Sequence, residues 1–248
     1  MKKNQFEYAE YSIYSALIMI VCVVVGVIIL APMLPPWGQA SASSEAIAAF
    51  YQEGNLSKRI GLCIMMFGVP FLVPVFALIE EIIKRSMGMP ILARVQYGTG
   101  LYGILFTILM TICWGAAAFR PERAAETTQA LHDLGWLLAT WVASATILQA
   151  SCIAAAVFRD KSQDPVFPRW FGYFNIWAVV LALPACVINI FHTGPFAYDG
   201  LLGFWLPYIV LALWGGAVLF VCWQAIKKLQ LGAVATQGKS SLIMGGAL

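Results

Sequence analysis

The chain has 248 residues, 61% of them hydrophobic and 11% charged, with a formal net charge of +3. A soluble domain of this length needs a polar shell that so few charges cannot supply, and a mean hydropathy of +0.81 points the same way. The basic residues are dispersed rather than gathered on one soluble face, which excludes a nucleic-acid-binding role.

Crossing ~30 Å of hydrocarbon takes ~20 mostly apolar residues at ~1.5 Å per residue. Six stretches meet that requirement: 13–33, 60–79, 95–119, 134–158, 170–191 and 202–226. None alternates with a period of two, as barrel strands would, and a helix satisfies each backbone amide within its own segment. The expected fold is therefore all-α: a polytopic bundle of six transmembrane helices over residues 1–228, with 229–248 as a flexible cytoplasmic tail.

The leader "MKKNQFEYAEY" and the later "ASASS" raise the alternative of a cleaved signal peptide. The apolar run is longer than the usual ~7–15 residues, and Glu7 and Glu10 intrude on the basic leader, so the first helix is expected to be retained. In the loop that follows, Pro35 and Pro36 stop the helix and Trp37 suits an interface. "SSEAIAAFYQEG" reads as a short helix capped by Ser44, with Ile47, Phe50 and Tyr51 on one face, lying on the membrane surface or over the mouth of the bundle. Glu80 and Glu81 precede Lys84 and Arg85 by four residues, the favourable order for helical ion pairs, and Gly88 to Pro90 breaks the chain.

"GTGLYG" matches the dinucleotide pattern, but it has no preceding strand and sits inside an apolar run; close helix packing accounts for it better. "RPERAAETTQALHD" is the most polar region. Gln149 stands mid-helix with no local partner, so it must face the bundle, as glue between helices or as the lining of a cavity. "RDKSQDPVFPRW" is a short loop held by two prolines. One cysteine falls in each predicted helix (Cys22, Cys63, Cys113, Cys152, Cys186 and Cys222), a distribution suited to packing rather than to disulfides or zinc. No internal repeat of the kind that builds many secondary transporters is visible.

Lys and Arg concentrate in cytoplasmic loops. With six spans, one side holds Lys2, Lys3, Lys84, Arg85, Arg94, Arg159, Lys161, Arg169, Lys227, Lys228 and Lys239, and the other holds only Lys58, Arg59, Arg120 and Arg123. Both termini are expected in the cytoplasm. The external face then collects Arg120, Arg123, His132, Asp133, His192, Tyr198 and Asp199 above Trp136, Trp141 and Trp205. The expectation is a pocket open to the periplasm, with charged groups orienting a polar head and the tryptophans holding an apolar body.

At "LHDLGW", "FRDKSQDPVFPRWFGYFNIW" and "FHTGPFAYDGLLGFWLPY" the chain resembles a group of multi-pass membrane proteins of actinobacteria and proteobacteria. The resemblance covers roughly residues 119–224. It implies a helix, a short basic loop with prolines, a Gly-Pro-Phe turn and a bacterial inner-membrane location, and it brings neither an activity nor a residue role.

The leading functional expectation is non-enzymatic: binding or passing a hydrophobic or amphipathic small molecule, as a protein on its own or as the membrane subunit of a larger system, with no cofactor and no catalytic residue. One alternative is a redox subunit with haem between His132 and His192, which requires both imidazoles at similar depth. Another is a structural partner in a membrane complex or a homo-oligomer.

Overall fold

The computed structural model describes the backbone of residues 8–36 and 39–245, and the side chains of 8–36 and 40–231. Trp37 and the two lysines of the leader lie outside the described residues. Among the described residues all regular structure is helical and no strand occurs. Six helices are long and apolar enough to cross a membrane: Tyr11–Leu30, Asn55–Ser86, Pro90–Phe119, Ala125–Arg159, Arg169–Ile190 and Leu201–Leu231. Each contains most of one predicted stretch, and several extend past it, because a helix need not stop where the apolar sequence does.

The first span is α1 (Tyr11–Val23), continued by a π-helical segment, Val24–Leu30. It packs on α3 (Asn55–Gly68), the first part of the second span. A Cβ on Gly61 would stand 2.2 Å from the Gly26 carbonyl oxygen, and one on Gly26 would stand 2.6 Å from that of Gly61. The two backbones touch there, an approach that only glycine allows. Pro70 and Pro74 offer no N–H to the helix, and the second span steps through a 3₁₀ segment, Val69–Leu72, into α4 (Val73–Glu81). A π-helical end, Ile82–Ser86, follows, with Glu81 paired to Arg85 as the spacing predicts. The chain turns at Gly88 and re-enters as α5 (Pro90–Phe119).

The fourth span is α6 (Ala125–Thr140), a 3₁₀ step at Trp141–Ala143, and α7 (Ser144–Arg159). α5 is central, touching α3, α4, α6 and α7. Within "GTGLYG" Gly100 is packed closely, against Phe76 and Gln149, whereas a Cβ on Gly98 or Gly103 would meet nothing within 4 Å, so one glycine of the three serves close helix packing. Gln149 Nε2 donates to Gln96 Oε1 at 3.4 Å, and Gln96 Nε2 donates to the Phe76 carbonyl at 3.0 Å. Gln149 is thus glue between α7, α5 and α4. Gln149→Leu is expected to cost about 1 kcal/mol, within the ~0.6–2 kcal/mol of hydrogen bonds between membrane helices, measured by unfolding in detergent. A neutral result would mean that this chain of amides does not hold the helices together.

The fifth span is α8 (Arg169–Ala182), which Pro184 converts to a 3₁₀ segment, Leu183–Ile190. The sixth opens with a π-helical turn, Leu201–Trp205, and continues as α9 (Leu206–Gly245), running past the Lys228 at which the sequence suggests a loose tail. Trp214 Nε1 on α9 donates to Asn175 Oδ1 on α8 at 2.9 Å. The breaks in spans four, five and six pack on one another. Carbonyls near the breaks find side-chain donors: Trp141 Nε1 donates to Cys186 O at 2.9 Å, and the Tyr208 hydroxyl to Ala139 O at 3.3 Å. Non-α backbone at membrane depth is tolerated where protein groups satisfy it in this way.

A short helix, α2 (Ser44–Gln52), lies across the end of the bundle where α5 ends and α6 begins. Its cap is Ser43, whose extended backbone lets Oγ accept from Ala46 N at 3.3 Å; Ser44 is already helical. Ile47, Ala48 and Tyr51 form the buried face, as the spacing predicts, with Phe50 half-buried beside them. Gln52 Nε2 donates to Pro121 O at 2.9 Å and Gln129 Nε2 to Ala42 O at 3.3 Å.

Candidate functional site

His132 and Trp136 stand one turn apart on α6, so both point the same way. Each is 0% exposed. Tyr51 of α2 reaches down to them, its hydroxyl 2.9 Å from His132 Nδ1. The Gly-Pro-Phe turn supplies Tyr198, whose ring stacks on Trp136 at 5.6 Å with planes 3° apart. Trp114 of α5 packs against Trp136 at 5.0 Å, and Phe204 meets it edge-on at 5.8 Å. Trp114 lies against Gly135, where a Cβ would stand 2.3 Å from the indole nitrogen.

Asp133, the neighbour of His132, points round the helix to the edge of this aromatic cluster. The Tyr198 hydroxyl donates to its Oδ1 at 3.0 Å, and exposed His192 lies near enough to act on its charge. Burial pushes the Tyr198 phenol above the usual tyrosine range, and the Asp133 charge adds to the rise. Tyr51 is raised for the same two reasons in the same order. Both are hydrogen-bonding phenols at any physiological pH. Asp199 is held apart: its Oδ2 accepts from Ala40 N at 3.1 Å, tying the strand of chain before α2 to the Gly-Pro-Phe turn.

Two polar atoms of the cluster have no partner although they are buried, His132 Nε2 and Trp114 Nε1. An unpaired buried polar atom costs ~1–3 kcal/mol, so each is a hydrogen-bonding capacity that the protein's own groups leave unused.

The structure therefore brings His132, Asp133, Trp136 and Tyr198 together, with His192 at the rim and Asp199 in the strap above. Other residues of the expected mouth have different work. Arg123 Nη1 donates to Ala116 O at 3.0 Å, capping the end of α5. Arg120 is exposed, Trp141 is exposed at the start of the α6 break, and Trp205 packs against Phe204. The two imidazoles do not share an enclosed space, since His132 is fully buried and His192 exposed. Sequence reasoning missed Tyr51 and Phe204 as members. For Tyr51 the signal was its place on the buried face of α2; for Phe204 there was none beyond the turn it follows.

These features define an all-helical protein with six helices long and apolar enough to cross a membrane and, under α2, a buried cluster of polar and aromatic side chains. Set against known protein families, curated proteins and solved structures, the chain finds no match.

Proposed function

We propose that the protein binds or passes a hydrophobic or amphipathic small molecule through a chamber that opens at this cluster when α2 lifts as its lid, in the inner membrane of a bacterium. The chamber faces the periplasm and the termini lie in the cytoplasm. This orientation is supported by the distribution of bases: Lys58, Arg59, Arg120 and Arg123 belong to the α2 end, and Lys84, Arg85, Arg94, Arg159, Lys161, Arg169, Lys227 and Lys228 to the opposite one.

The observation that carries the reading is the pair of unpartnered buried atoms, His132 Nε2 and Trp114 Nε1, among closely packed aromatic rings. With α2 raised, these groups would offer hydrogen bonds to a polar head and flat apolar faces to a hydrocarbon body. The helix breaks in the last three spans pack on one another, and two of them flank the Gly-Pro-Phe turn; 3₁₀ and π segments within helices often accompany sites of function. Hydrogen bonds at Tyr51, Gln52, Gln129 and Asp199 hold the lid in its closed position. Ligand entry requires their rupture, and a ligand that binds the open form shifts the population toward it.

The test uses a series of long-chain alcohols and fatty acids, read by quenching of tryptophan fluorescence in the detergent-solubilised chain. At least one member should bind saturably. His132→Ala and Asp199→Ala should each weaken it about tenfold, ~1.4 kcal/mol, with folded yield kept for Asp199→Ala. Binding unchanged in both variants, or no saturable binding across the series, rejects the reading.

A further inference from the structure

The outer face of α3 holds a groove of about 460 Å³, open along one side and lined by Leu56, Arg59, Ile60, Cys63, Ile64 and Phe67. That is within the ~300–1,000 Å³ typical of ligand pockets. Ile60, Cys63 and Phe67 are exposed, turned away from the bundle. Arg59 is the charged residue of the lining, at the end nearer α2, and its guanidinium lies over the Phe119 ring at 5.3 Å. Arg120, next after Phe119, is exposed as well. The salt bridges among the described residues are Glu81–Arg85 and Lys228–Asp164, so neither Arg59 nor Arg120 has a carboxylate partner. Phe67 stands eight positions beyond Arg59, about 12 Å along the helix at ~1.5 Å per residue. That distance approaches the ~15 Å depth of one leaflet's hydrocarbon, half of the ~30 Å core.

From this match of charge and length we infer that the groove binds an anionic phospholipid of the leaflet on the α2 side. The phosphate sits on Arg59, with Arg120 adding positive charge, and one acyl chain runs down past Ile60 and Cys63 to Phe67. A guanidinium pairs with phosphate through two parallel N–H donors, and its contact with an aromatic ring fixes its plane for that purpose. A zwitterionic headgroup carries its own cation against the phosphate and gains less, which makes the site selective for net negative charge. The site shares no residue with the cluster around Trp136.

The experiment compares phosphatidylglycerol with phosphatidylcholine of the same acyl chains on the full chain in detergent. Native mass spectrometry reads binding, and the rate of maleimide modification at Cys63, mapped by peptide mass, reads occupation of the groove. Phosphatidylglycerol should bind about tenfold more tightly than phosphatidylcholine and slow the modification of Cys63. Arg59→Gln should abolish that preference, and Arg59→Lys should keep part of it. Cys63→Trp, which fills the groove and leaves the arginines in place, should expel the lipid even if Arg59→Gln folds poorly. Equal binding of the two lipids overturns the inference, as does a preference that survives Arg59→Gln. So does protection of Cys63 by inorganic phosphate alone, or in lipid-free protein by a second copy of the chain.

Discussion

Gly61→Leu is expected to lose about 3 kcal/mol of stability, the upper end of overpacking costs, and to give little folded protein after solubilisation. The reason is what the new side chain would meet. Its Cβ would fall 2.2 Å from the Gly26 carbonyl oxygen and 2.9 Å from the Cβ of Ala31. The first obstacle is backbone, so no rotamer change relieves it, and the first two spans must separate. Gly103→Leu provides the control, because a Cβ there meets nothing within 4 Å. At ~2–4 °C per kcal/mol for a chain of this size, Gly61→Leu should melt roughly ten degrees lower, with Gly103→Leu near the parent. Equal melting temperatures would mean that α1 and α3 do not cross at these glycines.

Trp136→Ala is expected to be as damaging, about 3–5 kcal/mol, as for other large aromatic residues cut from a packed interior. Its ring is fully buried and touches Trp114, Tyr198, Phe204 and His132, from α5, the Gly-Pro-Phe turn, the last span and its own helix. Removing it takes away a surface on which four segments meet. Trp136→Phe keeps an aromatic face and should recover part of the loss. Thermal unfolding followed by circular dichroism separates the cases, and an alanine variant within 2 °C of the parent would show that the cluster does not support the fold.

The six spans were legible in the sequence because the demand behind them is local: enough apolar residues in a row to cross the hydrocarbon. The face of α2 was legible for a similar reason, since Ile47 and Tyr51 lie one turn apart. The breaks divide into two kinds. Pro70, Pro74 and Pro184 announce theirs, whereas Trp141–Ala143 contains neither proline nor glycine, and its bend depends on Tyr208 and on the neighbouring Leu183–Ile190 segment. The site was half legible. Topology gathers the polar residues of one end but does not say which way each points. Trp141 is five positions after Trp136, about 140° further round at 3.6 residues per turn, so the two cannot line one wall. Tyr51 and His132 are separated by 81 positions, and nothing in either neighbourhood announces their hydrogen bond.

The turn between the last two spans is stitched by its own backbone. Gly200 N donates to Ala197 O at 2.8 Å, Leu202 N and Gly203 N both donate to Pro195 O, at 2.7 and 3.0 Å, and Phe204 N donates to Gly200 O at 2.9 Å. α2, by contrast, is anchored chiefly through side chains, and its exit passes through Gly54 at φ +56°, a left-handed hinge that other residues rarely adopt. One jamb of this doorway is masonry and the other swings. Breathing motions should therefore be one-sided, with Tyr198 standing still while Tyr51 comes and goes.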